Sequence, residues 1–228
     1  MSEALLAEDD FNLATALGVD QYLDAISYEI DPDYVPSVFA LEFVTFIKLV
    51  NGVDGEENKT PITHYHMLDT LTDFKDEMVQ IANLCHRGIA KTTLMGEYLF
   101  LYLGVHGEIP GFGAISLALY VSDSIENGVK NMRKNLEYRY LNSEFLVDHI
   151  PHTKFTDVRW EFTNIDGKKT VFRGFGASTG VRGFKEYGER PTWCGFDDLM
   201  SDKNAESPTI TKDIKNIVYK AARQAMHP

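Results

Sequence analysis

The sequence predicts an α/β fold: a parallel sheet flanked by helices, with an acidic helical arm ahead of it. Three observations carry this. Apolar runs of strand length alternate with stretches of helical periodicity along the chain. One run, residues 115–122, is apolar almost throughout, as suits a parallel strand buried on both faces. Residues 85–93, Cys-His-Arg-Gly-Ile-Ala-Lys-Thr-Thr, stand between an apolar patch (Ile81, Ala82, Leu84) and a long apolar-periodic stretch over 94–105, where a strand hands over to a helix.

In chain order, residues 1–35 read as the arm, with short helical patches at 11–17 and 21–27, and residues 36–228 as the main domain. Ser37 caps a helix over 38–50, whose Phe39, Phe43, Phe46, Ile47 and Val50 recur at helical spacing; Asn51 and Gly52 end it. A polar loop at 54–59 leads to Pro61, His64, His66 and a helix over 67–74. Residues 78–84 form the strand that enters the basic turn, and 92–103 the helix that leaves it. Glycines mark a turn at 107–113. After the strand at 115–122, Ser122, Asp123 and Ser124 cap a helix over 125–140. Residues 158–163 and 170–174, with Asp166-Gly167 between them, read as a hairpin. A glycine-rich loop follows over 174–189, then a short strand at 192–196 and a last helix at 212–226. There is no internal repeat and no low-complexity tract.

Composition narrows the class. The 228 residues suit one sizeable domain, and 44% hydrophobic with 12% aromatic residues is enough for a packed core. A net charge of −12 argues against nucleic-acid affinity over the whole surface and leaves local basic clusters. One cluster is Lys130, Arg133, Lys134 and Arg139; the other is Lys168, Lys169, Arg173, Arg182, Lys185 and Arg190. Two cysteines, Cys85 and Cys194, imply neither a disulfide framework nor a Cys-rich zinc site, and buried free thiols in a reducing cytosol fit them. The sequence shows no signal peptide and no apolar run of membrane-spanning length.

The turn at 85–93 carries the most chemistry. The first turn of a helix has unpaired N–H groups and a partial positive charge, so it receives phosphate oxygens readily. Read as a phosphate loop, it offers Lys91 as a point charge for the outer phosphates and Thr92 as a hydroxyl for magnesium. The generic pattern G-x-x-x-x-G-K-[ST] is met in part, because Cys85 and Ala90 stand where it has glycine. Gly88 supplies permissive backbone. The plainer alternative is a strand–turn–helix corner with a surface lysine.

A phosphate loop works with a carboxylate at the tip of a neighbouring strand. Residues 193–198, Trp-Cys-Gly-Phe-Asp-Asp, supply two. Asp197 would hold magnesium, directly or through water, and Asp198 would orient or deprotonate an attacking water. Their plain alternative is a solvated strand end. The loop at 174–183 holds four glycines and Arg182. It is either a surface loop or the element that brings Arg182 to the γ-phosphate of its own or a neighbouring subunit.

With these parts in this order, the chain resembles the ATPase domain of large terminase subunits, the DNA-packaging motors of tailed bacteriophages, over roughly residues 60–215. Many of them carry a loop Pro-Arg-Gly-x-Ala/Gly-Lys-Ser/Thr, and residues 86–92 match it with His86 in place of the proline. That comparison also accounts for Ala90. Ser122-Asp123 at a strand end, Ser-x-x-x-Arg-Gly from Ser178 to Gly183, and Arg190-Pro191 ahead of Asp197-Asp198 match as well.

The resemblance implies a P-loop NTPase core of the RecA-like (ASCE) type that hydrolyses Mg-ATP. It makes Arg87, Gly88, Ile89, Ala90, Lys91, Thr92 and Thr93 the ATP-binding loop, with Arg87 and Lys91 as its cations, and Thr92 and Asp197 the Mg2+ side. Asp198 stands where the family has a catalytic glutamate; its shorter side chain leaves Glu206 as the alternative acid. Arg182 matches an arginine finger, and His64 and His66 fall in an adenine-contacting segment, with His66 taken as the nucleotide contact. The implied partners are double-stranded DNA, the portal protein, the small terminase subunit and further copies in a ring on the procapsid, in the host cytoplasm and away from membranes. Large terminases usually carry a nuclease domain after this core. Only residues 199–228 follow Asp198, so an ATPase-domain fragment or truncated product is expected. Two rivals stand beside this reading: another P-loop motor such as a helicase, and an interaction or assembly module with a degenerate phosphate loop.

Overall fold

A computed structural model of the chain describes residues 33–52, 60–73, 81–83, 88–177, 181, 183–199, 207–216, 218 and 225–226. The chain divides into two compact units, Met1–Pro36 and Ser37–Pro228, and the sheet with its helices belongs to the second.

Helix α1 (Val38–Asn51) starts where Ser37 accepts from the backbone N–H of Ala40 at 3.1 Å, and it buries Phe39, Ala40, Phe43, Val44, Phe46 and Val50 along one side. Helix α2 (Ile62–Asp69) begins and ends earlier than the expected 67–74. Pro61, extended at φ −60° and ψ 145°, sets the start. The polar residues 62–66 hide the helix from an apolar-periodicity reading, although Met67 and Leu68 are buried. Residues 81–83, part of the strand expected at 78–84, are not in a strand; the rest of that segment lies outside the described residues.

The chain turns helical at Lys91 and remains so to His106, with wide i→i+5 turns over Thr93–Tyr98 followed by α3 (Leu99–His106). Every residue of α3 except its last is buried, so it is a core helix rather than an amphipathic one. It stops at Gly107, which takes the left-handed conformation (φ 72°) of a helix C-cap. The expected turn at 107–113 instead holds a small antiparallel ribbon, β1 (Glu108–Ile109) with β2 (Gly113–Ala114).

The main sheet contains β3 (Leu117–Ser122), β4 (His152–Thr156), β5 (Arg159–Thr163), β6 (Lys169–Gly176) and β7 (Trp193–Phe196), in the order β4-β5-β6-β3-β7. Strand β3 is buried at every residue and pairs in parallel with both neighbours, as its nearly continuous apolar run predicts. The sheet as a whole is mixed, not purely parallel. The hairpin β5–β6 and the further strand β4 run antiparallel. The expected hairpin is therefore part of the main sheet, and its second strand supplies a parallel neighbour to β3.

Side chains alternate across the strands, so register sorts them by face. Ala118, Tyr120, Trp160, Phe162, Phe172, Trp193 and Gly195 share the face covered by α3. Phe100 of α3 meets the rings of Phe172, Trp193, Tyr120 and Trp160 there, with centroids 4.7 to 6.3 Å apart. Leu119 and Val121 look the other way and pack with Val181 and Ala225.

A wide turn over Ile125–Val129, capped by Ser124 accepting from Asn127 N–H, opens α4 (Lys130–Leu141). Helix α5 (Glu144–His149), capped by Ser143, and strand β4 lie in a stretch the sequence reading leaves unassigned. Only Phe155 is strongly apolar in β4, whose polar composition fits an edge strand. Helix α6 (Pro208–Asn216) starts at Pro208 rather than 212, since proline suits the first helical position.

Candidate functional site

Two stretches distant in sequence meet at the carboxyl end of β7. One is the basic loop. Gly88 (φ 90°) and Ala90 (φ 57°) turn the chain, Lys91 begins the helix, and Leu94 N–H donates to the Ala90 carbonyl at 2.9 Å. The other is Asp197, whose N–H donates to the Val121 carbonyl at 3.0 Å as the chain leaves β7. Thr92 Oγ1 donates to Asp197 Oδ1 at 3.0 Å, and Tyr120 Oη donates to Asp197 Oδ2 at 3.2 Å. Both carboxylate oxygens therefore have a hydroxyl partner. Strand geometry explains the convergence. Asp197 follows Gly195 by two residues, and Tyr120 sits in register with Gly195.

A recess of about 130 Å³ opens between these groups, with Lys91, Thr92, Tyr120 and Asp197 as polar walls and Met95, Phe100 and Trp193 as apolar ones. It is smaller than pockets for drug-sized ligands, which run to roughly 300 Å³ or more. Gly195 also lines it. A Cβ there would lie 2.4 Å from Trp193 Cη2, so glycine leaves room for the indole.

Burial raises the Asp197 carboxyl above the ordinary range. The Thr92 hydroxyl opposes this, the Asp198 charge adds to it, and the Tyr120 hydroxyl and Lys91 charge oppose it. Burial, reinforced by the Asp197 charge, raises the Tyr120 phenol, which stays protonated as a donor. An acid whose folded-state pKa is raised favours the fold most when neutral, and that contribution is lost as pH rises through the raised value. Asp197→Asn is therefore expected to melt higher than the wild type at neutral pH. The difference should vanish below the ordinary carboxylate range; thermal melts across pH check this.

The donor set fits magnesium. A hydroxyl and a carboxylate, both hard oxygen ligands, stand 3.0 Å apart, and Mg2+ commonly takes one or two protein oxygens with water and phosphate completing its shell. Among the described residues no group of three or more His, Cys, Asp or Glu gathers as a metal cluster.

Left-handed backbone brackets the site. Ala90 (φ 57°) and Asp198 (φ 43°) are two of the three non-glycine residues described with positive φ. Such a conformation costs an L-residue about 1 kcal/mol or more. Ala90 is exposed. Ala90→Gly is expected to stabilise the chain by about 0.5–1 kcal/mol, read from urea unfolding.

The remaining expected residues fall as follows. Lys91, Ile89 and Thr93 are half-buried, and Gly88 is exposed. Asp198 is exposed and does not line the recess. His66 is half-buried on α2, and His64 of the same helix meets the loop, with Nε2 2.6 Å from the Ile89 carbonyl. Arg87, Arg182 and Glu206 lie outside the described residues. Tyr120 is absent from the sequence-based set. Its signal was a phenol inside an otherwise aliphatic buried strand, which needs a hydrogen-bond partner. Burial pushes the Cys194 thiol up to about 12, so it offers no thiolate at neutral pH.

The first basic cluster is largely engaged within the chain. Lys130 pairs with Glu126 at 2.8 Å and Asp157 at 3.3 Å, Arg133 with Glu137, and Arg139 with Glu97. In the second, Lys168 pairs with Glu108 and Lys169 with Glu161. Among the described residues, no helix is long and apolar enough to cross a membrane. Comparison of the chain with family models, with curated proteins and with solved structures returned no match.

Proposed function

We propose that this chain is the ATPase motor domain of a terminase large subunit, a P-loop NTPase that binds Mg-ATP and, in its full assembly with portal protein and small subunit, drives double-stranded DNA into a viral procapsid. The observation that carries the reading is the Thr92–Asp197 hydrogen bond, which puts a hydroxyl beside the loop lysine against a strand-end carboxylate.

Residues 87–93 cradle the phosphates, with Lys91 and the open first helical turn neutralising their charge. Thr92 and Asp197 hold magnesium, which when bound neutralises developing phosphate charge. Tyr120 fixes the Asp197 carboxylate from its other oxygen, as partners of metal ligands commonly do. Asp198 or Glu206 orients the attacking water, and Arg182 steadies charge on the transferring group. Positioning and electrostatics supply most of the rate enhancement.

The test is ATP turnover by the chain with and without magnesium and linear double-stranded DNA. The reading expects turnover that needs the metal and rises with DNA. Magnesium-dependent ATP binding with no response to DNA would leave a nucleotide-binding domain of another kind. The assembly-module reading is favoured by one observation, the left-handed alanine where the generic loop has glycine, and it expects no affinity for ATP.

A further inference from the structure

Helix α2 is tied down independently of the phosphate loop. Met67 and Leu68 are buried, and its last residue, Asp69, accepts from Ser37 N–H at the start of α1 at 3.1 Å. From this fixed base His64, half-buried, reaches the loop, and its Nε2 lies 2.6 Å from the Ile89 carbonyl oxygen. A carbonyl oxygen only accepts, so Nε2 carries the proton and donates. The Ile89 carbonyl and the Ala90 N–H belong to one planar trans peptide, in which the two groups point in opposite directions. Holding the carbonyl toward α2 therefore holds the Ala90 N–H away from it. The peptide joins Ile89 to Ala90 and follows Gly88; Gly88 and Ala90 both have positive φ among the described residues of the loop.

We propose that His64 is a positioning residue for the phosphate loop: its imidazole sets the Ile89–Ala90 peptide so that the Ala90 N–H faces away from α2 as a donor to a phosphate oxygen. This rests on the reading of residues 88–92 as a phosphate loop. The role needs only a donor at the Nε2 position, and a glutamine side-chain amide offers one at similar reach.

The test compares the wild type with His64→Ala and His64→Gln by equilibrium binding of Mg-ATP and, without nucleotide, by hydrogen exchange of the Leu94 amide, which donates to Ala90. His64→Ala is expected to weaken Mg-ATP binding about 10-fold, the effect of losing one hydrogen bond that orders a donor. It should also speed Leu94 exchange. His64→Gln should restore both to within about 3-fold of the wild type. Wild-type values in His64→Ala, or a His64→Gln variant as weak as His64→Ala, would overturn the proposal. If the wild type binds no Mg-ATP, the phosphate reading falls. The exchange comparison then decides the clamp alone: faster exchange in His64→Ala supports it, and unchanged exchange rejects it.

Discussion

Lys91→Ala is expected to lower Mg-ATP affinity about 100-fold and to abolish turnover while the fold is retained. Charge-assisted hydrogen bonds are worth about 1.5–3 kcal/mol, and removing one preorganised donor to a reacting group costs about 10²–10³ in rate. Lys91 lines the recess with Thr92 and Asp197, and its charge reaches the Asp197 carboxyl. It is also the first helical residue after Ala90, where alanine is at least as good a helix former as lysine. Loss of function should therefore come without loss of the melting transition by circular dichroism. A surface lysine at an ordinary corner predicts the opposite, an unchanged affinity.

The second large effect belongs to the core beneath the site. Phe100→Ala is expected to destabilise the chain by about 3–5 kcal/mol, read as a lowered urea midpoint at constant slope. Phe100 is fully buried, and its ring is the shared neighbour of Tyr120, Trp160, Phe172 and Trp193. Truncation leaves a cavity that the four packed aromatic neighbours cannot close by small shifts. The same ring lines the recess, so it couples the seating of the helix that starts at Lys91 to the strand that ends at Phe196, just before Asp197. A cost below about 1 kcal/mol would mean that this face of the sheet is loosely packed.

Local patterns carried much of this architecture. The capped helix at Ser37, the buried strand over Leu117–Ser122 and the short strand before Asp197 each have a signal within their own residues. The meeting of Thr92 with Asp197 was also foreshadowed, because a hydroxyl after a loop lysine and an acid at a strand tip have recognisable local contexts. What the sequence concealed depends on packing between distant segments. Strand β4 has too few apolar residues to stand out, and the mixed character of the sheet follows from which edge of β6 meets β5. That His64 reaches the Ile89 carbonyl could not be read without the orientation of α2, since His64 and His66 sit on the same short helix. Tyr120 reads as one more core residue until its hydroxyl is traced to Asp197.

On the proposed function, Thr92 and Asp197 act together on a magnesium-bound phosphate. The most direct measurement is the equilibrium affinity for ATP, with and without magnesium, in the wild type, Thr92→Ala, Asp197→Ala and the double variant. Magnesium is expected to tighten ATP binding to the wild type. Each single variant should lose most of that gain, and the double variant should lose little more, because residues sharing one metal are coupled. An ATP affinity indifferent to magnesium, or losses that simply add, would contradict it.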